Sequence, residues 1–178
     1  MTVLKPILIA GLMIFTLSAC GGGDSANGPS GNTPAEQIIG TWLSPCTSTH
    51  FDNGDPPEHF KVTLIFNADN SMKHIETFYQ DSSCQNLLTA GVKNRETLGS
   101  YEVAANTTAA DGGAATELNL LYGQVLENGI EVDPNMNKVV LSMFRISGNE
   151  LTTSTLNPIF GFSVRSAIIF STYPYTYQ

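Results

Sequence analysis

Positive charge is scarce in this chain. Its 178 residues hold eight lysines and arginines against sixteen aspartates and glutamates, a formal net charge of −8. An acidic surface repels phosphate backbones, so nucleic acid is not an expected partner, and adhesion to anionic membrane surfaces is disfavoured too. Long apolar runs are also missing. The stretch from Ile7 to Phe15 falls well short of the ~20 residues a membrane-crossing helix needs. No Gly-x-Ser-x-Gly elbow, His-Glu-x-x-His pair, P-loop or dinucleotide fingerprint is present, so no catalytic residue, metal site or cofactor is assigned and the chain reads as a non-enzyme. There are only three histidines. His50 and His59 flank a loop with Asp52, Asp55 and Glu58, read as solvated loop charge rather than a metal site. His74 is read as structural, on the outer of its strand's two faces.

What is there begins with a leader. Lys5, the apolar run and the small residues Ser18 and Ala19 follow the order of a secretory signal: basic start, short greasy centre, cleavage site. Leu17-Ser18-Ala19-Cys20 resembles the lipobox of bacterial lipoproteins. That resemblance implies cleavage after residue 19, a lipid on Cys20, and a membrane partner reached through the anchor. Gly21, where members of that family kept at the inner membrane usually carry aspartate, implies outer-membrane sorting. Residues 20–34 are then the lipidated cysteine and a Gly/Ser/Asn-rich flexible linker, and residues 35–178 one domain. The anchor consumes Cys20, leaving Cys46 and Cys84 as an even pair in an oxidising compartment, read as one disulfide. A metal pair lacks the usual C-x-x-C or H-x₃₋₅-H spacing.

The domain reads as all-β. Thr33-Pro34-Ala35-Glu36 is a capping box with proline at the first helical position, good for one turn before Gly40. Strands are expected at Gly40-Thr41-Trp42, Phe60–Phe66, Met72–Gln80, Thr97–Ala104, Glu117–Leu126, Lys138–Ile146, Glu150–Thr155 and Phe162–Thr172, with Tyr173-Pro174-Tyr175 as a tail. Phe60, Val62, Leu64 and Phe66 alternate with a strand's period of two. A two- or four-residue turn after them sets Leu64 against Ile75 and Val62 against Thr77, leaving Lys61 and Glu76 on the wetter face. Asn128-Gly129 suits a type I′ hairpin. Eight strands without crossover helices form an antiparallel sheet, which closes most simply as an up-and-down barrel. A two-sheet sandwich is the alternative.

A one-turn helix followed by Gly40-Thr41-Trp42 resembles the start of the lipocalins and wider calycins. The resemblance implies a barrel closed at one end by Trp42, with an arginine from a late strand across the indole: Arg165 first, Arg145 second. Two functions from different classes follow. One is a carrier of a small apolar ligand in a cavity lined by Phe60, Phe66, Tyr79, Tyr101 and Tyr122. The other is a filled barrel acting as a protein-interaction module for an envelope protein or a foreign hydrolase. Its binding rim would be built by the polar loops Phe51–Glu58, Asn106–Ala115 and Asn128–Asn137.

Overall fold

The capping box forms as expected in the computed structural model, which describes residues 28–49, 57–154 and 170–178. Thr33 caps Pro34–Gln37 (α1), and Glu36 reaches back to the Thr33 backbone amide at 3.0 Å. Cys20, His50, Asp52, Asp55 and Arg165 lie outside the described residues.

Ten strands follow among the described residues: β1 Gly40–Leu43, β2 Thr47–Thr49, β3 Glu58–Phe66, β4 Ser71–Tyr79, β5 Asn94–Thr108, β6 Ala114–Glu127, β7 Ile130–Asp133, β8 Lys138–Ser147, β9 Glu150–Thr153 and β10 Phe170–Tyr177. All pairings are antiparallel. Hydrogen bonding runs in a ring through β1, β3, β4, β5, β6, β8, β9 and β10 and back to β1. The ring has the expected eight members, and the fold is barrel-like. The two unforeseen strands stand off it, β2 on β3 and β7 on β6. Asn128 and Gly129 both take positive φ (51° and 79°), joining β6 to β7 as the Asn-Gly pair suggests.

One face of the ring is apolar because the strands alternate. Val62, Leu64 and Phe66 of β3, Met72 of β4, Tyr101 of β5, Leu118, Leu120 and Tyr122 of β6, and Val140 and Phe144 of β8 form one core with Ile38, Trp42 and Leu151. The long β5–β6 hairpin bulges between Leu98 and Gly99, where a Cβ on Gly99 would run into the Leu121 carbonyl oxygen.

Two expectations are corrected here. The β3–β4 register pairs Leu64 with His74 and Val62 with Glu76, not with Ile75 and Thr77. The cause is the turn: Ala68-Asp69-Asn70 is a three-residue loop closed by the Asn67 amide on the Ser71 carbonyl at 2.9 Å, with Asn70 left-handed at φ 65°. An odd loop shifts the partner by one residue and turns every side chain of β4 over. The C-terminal strand is the second. It runs through Tyr173-Pro174-Tyr175 to Tyr177, and the register with β9 shifts between Phe170 and Tyr175. Proline is tolerated in a sheet at such an irregularity.

Successive ring strands run in opposite directions, so the connections alternate between two ends. The α1 turn, residues 67–70, residues 109–113, residues 148–149 and the C-terminus share one end. Gln178 N–H bonds the Thr41 carbonyl at 3.0 Å, and Tyr177 N–H bonds that of Asn149 at 2.9 Å. Residues 80–93 and the β6–β7–β8 connections lie at the other end. There Cys46 and Cys84 are joined, their Cα atoms 5.7 Å apart. This tie links the segment after β1 to the β4–β5 connection.

Candidate functional site

Trp42 lies at the helix end of the ring. Its side chain is fully buried, and Nε1–H donates to the Ile38 carbonyl at 2.8 Å, so the turn of helix and the first strand are fastened through one indole. Tyr177 meets it edge-on, ring centroids 5.1 Å apart. Gly40 has φ 134° and no Cβ, which would strike the Tyr177 ring. Arg145 does not lie across the indole. It sits on the other face of β8 from Phe144, with Nη1 and Nη2 on the Asp111 carboxylate (3.2 and 3.1 Å) and Nε on the Ala114 carbonyl at 2.9 Å. Arg165, the first candidate, lies outside the described residues.

The five aromatics expected to line a cavity divide. Phe66, Tyr101 and Tyr122 are buried members of the core, and Phe60 packs against it half-buried. Phe66 and Tyr101 meet edge-to-face at 5.0 Å, and the Tyr101 hydroxyl donates to the Asn67 carbonyl at 2.8 Å. Tyr79 is a correction. Phe78 points inward, so its neighbour points out, where Lys61 Nζ lies 5.7 Å from the Tyr79 ring centroid.

The register puts a polar group inside that sequence reasoning missed. Across β3, β4, β5 and β6, one row runs Val62, Glu76, Arg95, Glu127, and the next runs Leu64, His74, Thr97, Val125. Arg95 Nη1 reaches Glu76 at 3.4 Å, its Nε and Nη2 hold Glu127 at 3.1 and 2.9 Å, and its guanidinium lies over the Phe78 ring. Burial pushes the Glu76 carboxyl up, opposed by the Arg95 charge. His74 is 4% exposed, and neither ring nitrogen has a hydrogen-bond partner. Burial alone lowers it to about 4, so it is neutral near pH 7. Tyr122 and Tyr175 are raised, chiefly by burial and further by the Glu76 charge. The signal that would have found this group was the parity of the preceding turn.

The loops read as one rim, of which residues 51–56 lie outside the described residues, divide between the two ends. Half of Asn106–Ala115 belongs to β5 and β6, and the turn between them, 109–113, lies at the Trp42 end. The 128–137 connections lie at the opposite end, with Pro57 and Glu58 leading into β3. An open cleft of 560 Å³ lies near α1, lined by Pro34, Gln37, Asn106, Phe144, Arg145 and Ser147 among others. His59 Nδ1 is 2.6 Å from Ser48 Oγ. Among the described residues no cluster of three or more His, Cys, Asp or Glu is placed to hold a metal, and no helix is long and apolar enough to cross a membrane. Compared with known proteins, the chain matches no protein-family model and no curated sequence.

Proposed function

We propose that this chain is an envelope lipoprotein, held at the outer membrane by a lipid on Cys20. Its lipocalin-like, eight-stranded up-and-down barrel has a filled interior and serves as a protein-interaction module. The observation that carries this reading is the packing of Phe66, Tyr101 and Tyr122 into one core with Trp42. Aromatics that pack into one cluster favour side-chain filling over a bound ligand, since an eight-stranded barrel has room for its own side chains or for one small ligand.

The placement of the ends supports the same reading. A tether from Cys20 would enter beside α1, at the Trp42 end, and would turn the disulfide-tied connections outward toward a partner. Native mass spectrometry of the purified full chain, with apolar fluorescent probes in parallel, tests the filled interior. No retained small molecule and no probe-induced rise in Tm is expected. A one-to-one ligand that raises Tm by mass action would replace this reading with the carrier. Cys20→Ser tests the anchor separately: incorporated palmitate should disappear and the leader persist, whereas unchanged labelling would remove the lipoprotein assignment.

A further inference from the structure

A buried imidazole with both nitrogens unpartnered is uncommon, because enclosed polar groups in native proteins nearly always find a hydrogen bond. Here the enclosure is tight as well: each ring nitrogen of His74 has less than 1 Å² of accessible surface, so no water-sized space touches either one. The nearest polar side chain on the same face of the strand is Glu76, two residues along. Residues spaced i, i+2 on a strand lie about 7 Å apart at Cα, within reach for two side chains that turn toward each other. Glu76 instead faces Arg95, at 3.4 Å through a single guanidinium nitrogen. Arg95 has a second carboxylate, Glu127, on two of its nitrogens.

We propose that His74 and Glu76 together bind one proton, and that its uptake moves the Glu76 carboxyl from Arg95 to the imidazole, unlatching β4 from β5 inside the ring. The proton comes from solvent. On Glu76 it converts an acceptor into a hydroxyl donor aimed at a ring nitrogen lone pair. On His74 it makes an N–H that donates to the carboxylate. Both distributions form the same hydrogen bond and give one of the two orphaned ring nitrogens a partner, so the titration belongs to the pair. Arg95 loses one carboxylate and keeps Glu127, so no guanidinium charge is stranded.

The other groups facing this point do not compete for the proton. The face of β3 turned toward them carries Phe60, Val62, Leu64 and Phe66, with Glu58 at its exposed start adding a like charge that also raises the Glu76 carboxyl. Next to His74 and Glu76 on the neighbouring strands are Thr97 and Arg95 of β5, Tyr122 and Glu127 of β6, with Lys138 of β8 opposite Tyr122, and Tyr175 of β10. Glu127 is held by Arg95, and the two tyrosines, raised by burial, are protonated throughout the acid range.

The test is a pH titration of the full chain by NMR, following the His74 ring nitrogens and the Arg95 Nε–H, with His74→Gln assigning the ring. If that variant does not fold, His50→Gln and His59→Gln assign it by elimination. The expected result is a single shared midpoint for His74 and Arg95 in the folded protein. Glu76→Gln should lower the His74 midpoint by about one pH unit, a tenfold loss of proton affinity, and leave the Arg95 signal flat. Separate midpoints would overturn the proposal. So would a His74 that titrates near 6.5 with Arg95 unmoved, or a midpoint that Glu76→Gln leaves in place.

Discussion

Trp42 joins three parts of the molecule, so truncating it is the sharpest test of how the ring is closed. Trp42→Ala removes a fully buried indole, its bond to the Ile38 carbonyl at 2.8 Å and its edge contact with Tyr177 at 5.1 Å. Aromatic-to-alanine changes in cores cost about 3–5 kcal/mol, depending on how far the cavity collapses. Collapse is hindered here, because Leu64 and Tyr177 flank Trp42 on paired strands of the ring, so the upper part of that range is expected. Trp42→Phe separates the contributions. It keeps an aromatic body against Tyr177 but loses the donor and part of the indole's volume, the unpaired buried carbonyl alone costing about 1–3 kcal/mol. Urea unfolding of the full chain, followed by far-UV circular dichroism, measures both. Trp42 is the only tryptophan, so wild-type emission adds an independent readout: blue-shifted, and poorly quenched by iodide. A loss below about 1 kcal/mol for Trp42→Ala, or free quenching in the folded protein, would refute the closure described here.

Two more measurements bear on the far end. Cys46 and Cys84 close a loop with a sequence separation of 38, and the double Cys→Ser variant should lose about 4 kcal/mol in the chain-entropy account, read as a lower urea midpoint than the oxidised wild type. The turn carrying Cys84 is organised by Asp81, which accepts from the Ser83 hydroxyl and from the Ser83, Gln85 and Asn86 amides. These bonds, the Ser83 hydroxyl first, hold its carboxyl far below the ordinary 3.8. A depressed carboxylate contributes stability above its unfolded pKa and loses it as pH falls below that value. Amide protection factors at Gln85 and Asn86 should therefore drop as pH is lowered below about 3.8, and Asp81→Ala should remove that dependence.

How much of this was legible in the sequence depended on whether each signal was local. The capping box at Thr33–Glu36, the Asn128-Gly129 turn and the alternation of Phe60, Val62, Leu64 and Phe66 each act within a few residues, and each formed as read. The pairing of Cys46 with Cys84 followed from counting. What failed was long-range. Tyr79 was placed inside because it shares the parity of Ile75 and Thr77 in the expected register, and the observed register turns Phe78 inward instead. The strand through Pro174 was missed because only its irregular pairing with β9 accommodates a proline. The loops were joined into one rim because alternation of ends is a property of the closed ring and not of any loop.

The interior polar group was lost at one residue, and that residue offers a direct check. Had Ala68-Asp69-Asn70 been a loop of even length, Ile75 and Thr77 would face inward with Leu64 and Val62, and His74 and Glu76 would face water. The odd loop requires a left-handed residue at its last position, which Asn70 supplies at φ 65°. Its carbonyl accepts from Tyr101 N–H at 2.9 Å, and the Asp69 carboxylate holds Ser71 through the amide at 2.9 Å and the hydroxyl at 2.6 Å. Asparagine tolerates that conformation, glycine adopts it freely, and a β-branched side chain clashes with its own backbone there at about 1–2 kcal/mol. Asn70→Gly should therefore leave the urea midpoint nearly unchanged, and Asn70→Val should lower stability by about 1–2 kcal/mol. If the two variants behave alike, Asn70 is not left-handed in solution. The odd loop would then be wrong, and with it the inward placement of His74 and Glu76.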